Sequence, residues 1–359
     1  MARRQEQEEA QSEVTEVAPG VLRMQLPIQI PGLRHVNCYA IVDSEGVAIV
    51  DPGLPGPGTW KATLDRLRQA GLEARHVHTV IVTHSHPDHF GGAARFAKEA
   101  GSKVVAHRSF SFGPPVLEPH EVSVDDVSPG SDRPQDPEAG DSVDEPGTQI
   151  SSGKTPWGGE RPRAPLGVRI KWNIMRRLGA AIVPVITHPV EHGDVLELAN
   201  REWFVVHTPG HTSDHFCLHD PDTGLFLSGD HVLPTITPHI SGISSSPDPL
   251  SSFFYSLDRV AEISKVARVL PAHGHPFDDL RSRSDAIKRH HHERLAKVKA
   301  ISRELGPATV QAFSKKLFQP RSWGAMAESE TFAHLEHLRI AGQAERRIEK
   351  DGAFIYVTD

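Results

Sequence analysis

Short apolar runs alternate with helical patterns through the first 110 residues. Four-residue runs at 47–50, 79–82 and 103–106 predict strands. The patterns at about 60–70 and 93–100 predict the helices that lie between them. Strands that alternate with helices are typical of layered α/β folds, so the chain is predicted to be α/β. Further strand runs follow at 203–206, 215–218, 224–227 and 266–270.

The pattern changes after about Leu280, where helical periodicity replaces the strands. Helices are predicted at 286–305, 309–317 and 326–341. Two short strands then flank Asp351-Gly352, a dipeptide that favours a hairpin turn. Three helices closed by a hairpin resemble a winged helix-turn-helix domain. We therefore predict a small winged-helix-like α(+β) domain at 281–359.

A polar segment interrupts the strands of the first domain, which we place at 18–280. Residues 113–156 contain no Phe, Trp or Tyr, and 118–145 carry ten acidic residues against Arg133 alone. Such a segment cannot bury enough apolar surface to fold by itself. We interpret it as a disordered acidic insert; a lid that orders on substrate is the alternative. Residues 1–17, rich in Gln and Glu, are predicted to be a flexible N-terminus.

Composition excludes several classes of protein. The 359 residues suggest about two domains. No apolar run approaches the roughly 20 residues of a membrane-spanning helix, so no membrane partner is expected. The N-terminus lacks the apolar core of a secretory signal, and we expect a cytoplasmic protein. Cys38 and Cys217 lie in apolar stretches, which excludes a disulfide scaffold. The oligomeric state stays open.

Charge is unevenly distributed, and histidine is abundant. The chain carries 39 Lys and Arg against 46 Asp and Glu, a net charge of −7. Residues 281–359 carry 15 basic and 10 acidic residues, net +5, which leaves −12 for residues 1–280. The acidic main part argues against a surface built for nucleic acid. The 23 histidines direct attention to metal chemistry.

The densest group of candidate ligands is Thr83-His-Ser-His-Pro-Asp-His89, directly after a predicted strand. Side chains alternate along an extended strand end, so His84 and His86 can converge on one metal ion. Asp88 and His89 lie beyond the bend at Pro87 and can serve a second ion, for which carboxylate and imidazole ligands are suitable. Four other apolar strands end at a residue of ligand type, which predicts one shared sheet edge: Asp51, His211, Asp230 and His273.

These motifs, in this order, resemble those of the metallo-β-lactamase superfamily. The resemblance implies an αββα sandwich over about residues 18–280. It also implies a first metal ion on His84, His86 and His211, and a second on Asp88, His89 and His273. Asp230 would bridge the two ions, and Asp51 would orient ligands. Ala272 departs from the glycine that often precedes the last histidine, which affects the expected loop and not the ligand.

The resemblance further implies two divalent metal ions, with Zn²⁺ as the first choice and Fe or Mn as alternatives. A metal-bridging hydroxide would attack a carbonyl or phosphoryl centre, with Asp88 and Asp230 as catalytic residues. His215 and His231 lie close in sequence to His211 and Asp230, so we predict that they contact ligands.

Four function classes follow from these features. The first is a hydrolase of a small ester, thioester or lactone, as in the hydroxyacylglutathione hydrolase group. The alternative is an endoribonuclease of the lactamase-beta-like type, which the basic C-terminal domain favours weakly. Flavodiiron reductases share the fold but place Glu at the position of His86. A binding module in which the winged helix reads DNA is the fourth class, and two complete ligand sets argue against it.

Overall fold

The structure, a computed structural model, describes residues 4–30, 32–112, 155, 157–158 and 182–358. The predicted acidic insert at 113–156 lies outside the described residues, Thr155 excepted. Two compact units divide the chain. The first contains the described residues of 1–113, 164–240 and 251–292, and the second those of 114–163, 241–250 and 293–359.

A seven-stranded sheet opens the first unit, with its strands in sequence order from β1 to β7. Neighbours from β1 to β4 are antiparallel, and those from β4 to β7 are parallel. Parallel neighbours need crossover connections, and helices provide them between β4 and β5 and between β5 and β6. The strands are β1 Val14–Ala18, β2 Val21–Ile30, β3 Leu33–Val42, β4 Val47–Val50, β5 Val77–Ile81, β6 Lys103–His107 and β7 His188–Val190. The helices of this half are α1 Pro57–Gln69, α2 Pro87–Phe90 and α3 Ala93–Ala100.

A five-stranded sheet completes the first unit, in the order β12-β11-β10-β9-β8. Its three hairpin-type pairings are antiparallel, and β11 pairs with β12 in parallel. Its strands are β8 Val195–Leu198, β9 Arg201–His207, β10 Phe216–Asp220, β11 Leu225–Gly229 and β12 Arg268–Pro271. Helix α4, Pro249–Ala261, crosses over between β11 and β12, and helix α5 spans Leu280–Leu305.

Two apolar cores hold these layers together. One core joins the two sheets through strand residues such as Tyr39, Ile81, Trp203 and Leu227. The other joins the first sheet to α1 and α3 and includes Trp60 and Phe96. Sheets packed face to face with a helical layer outside them leave their strand ends at the rim, where loops are free to carry ligands.

Strand direction brings the predicted ligands to one edge. Strands β4, β5 and β6 are parallel, so Asp51 and the His84–His89 segment follow strands that end on the same side. In the second sheet β10 is antiparallel to both β9 and β11, and β12 is parallel to β11. The loops after β9, β11 and β12 therefore leave from one edge as well, and they carry His211, Asp230 and His273.

The second unit contains the end of α5, α6 Val310–Leu317 and α7 Ala325–Ile340. A three-stranded sheet in the order β13-β15-β14 accompanies them, with β13 Ala308–Thr309, β14 Ala344–Ile348 and β15 Phe354–Thr358. The hairpin turn contains Gly352 at φ 86°, where a glycine avoids the strain of the left-handed region. The division between the two compact units falls inside α5, which is one continuous helix from Leu280 to Leu305.

The N-terminus differs from our prediction of a flexible segment at 1–17. A 3-10 helix spans Gln5–Gln7, β1 begins at Val14, and the side chain of Glu6 is fully buried. The sequence pattern of this segment does not predict ordered structure, because its buried groups are polar and hydrogen-bonded rather than apolar. The sequence analysis also predicted no strand at the position of β2. This strand contains Pro27, which lies next to a register irregularity where its missing N–H is tolerated. Among the described residues, no helix has the length and apolar character needed to cross a membrane.

Candidate metal centre

Four side chains of the first unit converge on one point. They are His84, His86, His211 and Asp230, and their ligand-type atoms lie within 4.8 Å of one another. His86 Nδ1 is 3.1 Å from His84 Nε2 and 3.1 Å from His211 Nε2. Asp230 Oδ2 is 3.4 Å from His211 Nε2 and 3.9 Å from His84 Nε2. The first predicted ligand set is thus brought together.

A second cluster adjoins the first and consists of Asp88, His89 and His273. Asp88 Oδ2 is 3.6 Å from His89 Nε2 and 3.6 Å from His273 Nε2. The carboxylate of Asp230 lies between the clusters, with Oδ1 3.2 Å from His273 Nε2 and Oδ2 3.6 Å from His89 Nε2. The carboxylate of Asp230 is therefore within 4 Å of histidines of both clusters.

The spacing of these atoms fits a small divalent cation. Zn–N and Zn–O bonds are about 2.0–2.2 Å, so the edge of a tetrahedral ligand set is about 3.4 Å. The observed edges of 3.1–3.9 Å bracket this value. In addition, His89 Nε2, His273 Nε2 and Asp230 Oδ1 are buried and have no hydrogen-bond partner in the described part of the chain. Buried polar atoms without partners are costly, and a bound cation would satisfy all three.

The outer ring nitrogens of His84 and His89 are held by side-chain acceptors. Asp51 Oδ2 accepts from His89 Nδ1 at 2.9 Å and from Thr83 Oγ1 at 2.8 Å. Thr83 Oγ1 in turn accepts from His84 Nδ1 at 3.0 Å. Asp51 is itself in the left-handed region at φ 56° and also accepts from Thr83 N at 2.9 Å. This arrangement leaves Nε2 of His84 and His89 facing the clusters, as is usual for histidine ligands.

Backbone carbonyls hold two further histidines. His211 Nδ1 donates to the carbonyl of His239 at 2.7 Å, and His273 Nδ1 donates to that of His35 at 2.6 Å. His86 differs, because its Nδ1 is the atom that faces the other ligands. The side chains of Asn37 and Tyr39 both donate to the carbonyl of Pro271 and so fix the loop before His273.

Burial and neighbouring carboxylates shift the pKa values of the clustered histidines in opposite directions. Burial lowers the pKa of His84 and of His86 well below the usual range, so both rings are neutral at neutral pH with a lone pair available. Burial opposes the charged form of His89 too, but the carboxylates of Asp230 and Asp88 raise its pKa well above that range. These buried carboxylates create a negative potential that a divalent cation would neutralise.

His215 supports Asp230 from behind. Its Nε2 accepts from the backbone N–H of Asp230 at 3.0 Å, and its Nδ1 pairs with Thr208 Oγ1 at 2.7 Å. His231 lies further out, with its ring centroid 5.9 Å from that of His215 and 5.1 Å from that of Phe253. His215 therefore contacts the backbone of Asp230, whereas His231 packs against the rings of His215 and Phe253.

Gly229 has φ 50°, and a Cβ there would lie 2.6 Å from His215 Nε2 and 3.1 Å from Thr83 Oγ1. We expect Gly229→Ala to displace His215 and to weaken metal binding about 10- to 100-fold, the usual cost of losing a ligand's support. Chelator competition measures this affinity. Gly71→Ala is the matched control, because Gly71 has φ 75° but open space around it. Equal affinities for the two variants would contradict the prediction.

Sequence reasoning did not single out Thr83, His35 or the carbonyl of His239. Thr83 directly precedes His84 and so lies next to a predicted ligand. Its role depends on a hydrogen bond to Asp51, which is 32 residues away in the sequence. The carbonyl contacts carry no side-chain signature. The two ligand clusters and their supports define a metal-binding enzyme with its centre at the shared edge of two stacked sheets.

The family model of the metallo-beta-lactamase superfamily matches residues 31–302. The chain belongs to this superfamily, whose members are hydrolases. It is 23% identical to a probable metallo-hydrolase, YqjP, of Bacillus subtilis over 316 residues, which cover 83% of this chain and 86% of that protein. A metallo-beta-lactamase family protein from Thermus thermophilus has a similar crystal structure, with TM-score 0.70, 25% identity and coverage of 96% of this chain and 100% of that one.

Shorter similarities concern named hydrolases. The chain is 32% identical over 91 residues to a hydroxyacylglutathione hydrolase of Maricaulis maris, covering 25% of this chain and 34% of that one. It is 31% identical over 110 residues to the acyl-coenzyme A thioesterase MBLAC2 of Bos taurus, covering 30% of this chain and 37% of that protein. The chain thus spans little more than a third of the length of these two relatives.

Proposed function

We propose that the protein is a dinuclear metal-dependent hydrolase of a small ester, thioester or lactone. The observation that carries this proposal is the position of Asp230, whose two carboxylate oxygens approach both ligand clusters. One shared carboxylate between two sets of three ligands is the arrangement that two neighbouring cations need.

Two bound divalent cations would supply an activated water at neutral pH and would polarise the bond under attack. The chain's own residues would then prepare the reaction. Asp230 would hold the clusters at a fixed separation, and Asp88, with Oδ2 3.6 Å from two histidine nitrogens, would hold the proton that the attacking water releases. Asp51 would keep His89 in the tautomer that presents Nε2.

Zinc is our first choice of metal. Five histidines and two aspartates form a nitrogen-rich set, and imidazole with carboxylate suits Zn²⁺ in a centre that keeps an open position. Iron and manganese accept the same ligand types and are the alternatives.

The substrate class rests on the relatives. Hydroxyacylglutathione hydrolase and acyl-coenzyme A thioesterase are both named for thioester substrates. We therefore favour a small thioester, with other esters and lactones as members of the same reaction class.

The alternative function, an endoribonuclease, draws on our interpretation of residues 281–359 as a winged-helix-like domain. In such a domain a helix enters the groove of the nucleic acid and needs an exposed face. Helix α7 holds the equivalent place in the element order, and none of its residues from Ala327 to Ile340 is exposed. This burial favours the small-molecule substrate over nucleic acid.

The purified full chain tests the proposal. We expect about two metal ions per chain by elemental analysis, and metal-dependent hydrolysis within a panel of coenzyme A and glutathione thioesters, esters and lactones. Removal of the metal by a chelator should abolish turnover, and Zn²⁺ should restore it. No more than trace metal after growth with zinc, iron and manganese would overturn the proposal. Cleavage of short RNA without turnover of any panel member would favour the endoribonuclease.

A further inference from the structure

Glu6 is a buried carboxylate that the proposed reaction does not use. Its side chain is fully inaccessible to solvent, although it lies in a short polar segment near the N-terminus. Oε1 accepts from the backbone N–H groups of Thr235 at 2.9 Å and Ile236 at 3.1 Å, and Oε2 accepts from the hydroxyl of Thr235. Three donors from one loop therefore converge on this single carboxylate.

The same loop is held from its carbonyl side by a cation. Arg283 Nε donates to the carbonyl of Leu233 at 2.6 Å, and its Nη2 donates to that of Ile236 at 2.6 Å. An anion thus binds the N–H groups of the loop while a cation binds its carbonyls. Charge-assisted hydrogen bonds of this kind are stronger than neutral ones, so the path of residues 233–236 is fixed.

This loop lies between two parts of the metal centre. It begins just after Asp230 and leads to His239, whose carbonyl accepts from His211 Nδ1 at 2.7 Å. Any displacement of residues 233–236 would move that carbonyl, and the orientation of His211 would change with it. A short backbone path therefore joins the residues that Glu6 holds to the acceptor of His211.

The N-terminal segment also reaches the loop of the second cluster. Gln5 Oε1 accepts from the backbone N–H of His275 at 3.1 Å. The carbonyl of Glu8 accepts from His35 Nδ1 at 2.9 Å, and His35 Nε2 accepts from the N–H of Gly274 at 3.1 Å. His35 is thereby fixed as the Nδ1–H tautomer, and its own carbonyl orients His273.

The two loops and the N-terminal segment also touch one another. Gly274 has φ 82°, and a Cβ there would lie 2.6 Å from Pro234 Cγ and 3.5 Å from Gln5 Cβ. The junction is therefore tightly packed. A change at one member is transmitted to the others because no space is left to absorb it.

We propose that residues 5–8, which we name the N-terminal strap, position the metal centre by tying together the loops that orient His211 and His273. Glu6 is its principal positioning residue. The strap thus sets the geometry of one histidine in each ligand cluster without touching substrate or metal. This inference rests on the proposed function, because it assumes that the clusters bind cations.

The test is Glu6→Gln in the full chain, with Co²⁺ and Zn²⁺ as probes. Glutamine keeps the shape but removes the negative charge, so its hydrogen bonds to the loop are weaker and the loop is held less firmly. We expect metal affinity from chelator competition to fall about 10- to 100-fold, the range seen when a ligand's support is lost. The visible absorption spectrum of the Co²⁺ form should also change. Glu9→Gln is the matched control, because that side chain is 69% exposed in the same segment; it should behave as the wild type.

The outcomes separate the two proposals. A wild-type chain that binds no metal overturns the proposed function itself. If the wild type binds metal, an unchanged affinity and Co²⁺ spectrum in Glu6→Gln overturn the strap, even if the apoprotein melts at a lower temperature. Should Glu6→Gln fail to fold, Thr235→Val decides by the same readouts, because it removes only the hydroxyl that donates to Glu6.

Discussion

Asp230→Asn should reduce kcat/KM by about 10³-fold or more and lower the metal content from two ions to one or fewer. Asparagine keeps the shape of the side chain but removes the negative charge that both clusters share. Its amide nitrogen is a donor and cannot bind a cation, so one cluster loses a ligand outright. A loss of this size corresponds to about 4 kcal/mol of transition-state stabilisation.

Elemental analysis and initial rates on the best panel substrate measure both effects. Asp220→Asn is the matched control, because Asp220 is also a fully buried carboxylate that accepts several hydrogen bonds, but it lies at the far end of β10. Circular dichroism of Asp230→Asn should stay close to that of the wild type, since the two apolar cores are untouched. A variant with two ions and a tenth or more of the wild-type rate would refute the role of Asp230.

Substitutions of Asp51 should affect the stability of the apoprotein and its metal affinity differently. At φ 56° Asn is tolerated, whereas Ala costs about 1–2 kcal/mol in the left-handed region. Asp51→Ala also leaves the buried N–H of Thr83 without its acceptor, which costs about 1–3 kcal/mol more. We expect Asp51→Ala to destabilise the apoprotein by about 2–5 kcal/mol, and Asp51→Asn to destabilise it much less.

Both Asp51 variants should bind the second cation about 10- to 100-fold more weakly, because His89 Nδ1 loses its carboxylate partner. Denaturant unfolding of the apoprotein gives the stability difference, and chelator competition gives the affinity. Equal stabilities for the Ala and Asn variants would contradict both expected costs, the strain of Ala at φ 56° and the loss of the acceptor for the N–H of Thr83.

The ligands were predictable because their signal is local. Each candidate ligand lies in the loop within four residues of the end of an apolar strand or within the His84–His89 segment, and strand direction alone brings such positions to one edge. The family resemblance, confirmed by the match over residues 31–302, added the pairing of ligands into two sets.

The supports of the site were not predictable in the same way. Glu6 and Thr235 are 229 residues apart in sequence, and carbonyl acceptors such as that of His35 leave no trace in residue type. Polar residues near a chain end resemble a solvated tail until their partners are known. The cytoplasmic location and the acidic insert stay predictions, since neither is decided by local contacts among the described residues.

Each candidate ligand cluster of the first unit draws on the loops of both sheets, with His84 and His211 127 residues apart and His89 and His273 184 residues apart in the sequence. A cation bound between them is therefore a reversible cross-link between two halves of the fold. Neither half alone offers a complete ligand set, so complete metal binding requires both halves to be folded. Binding at a thousand times the dissociation constant would then add about 4 kcal/mol to the free energy of unfolding. The melting temperature of this protein should accordingly depend on the free metal concentration of its surroundings.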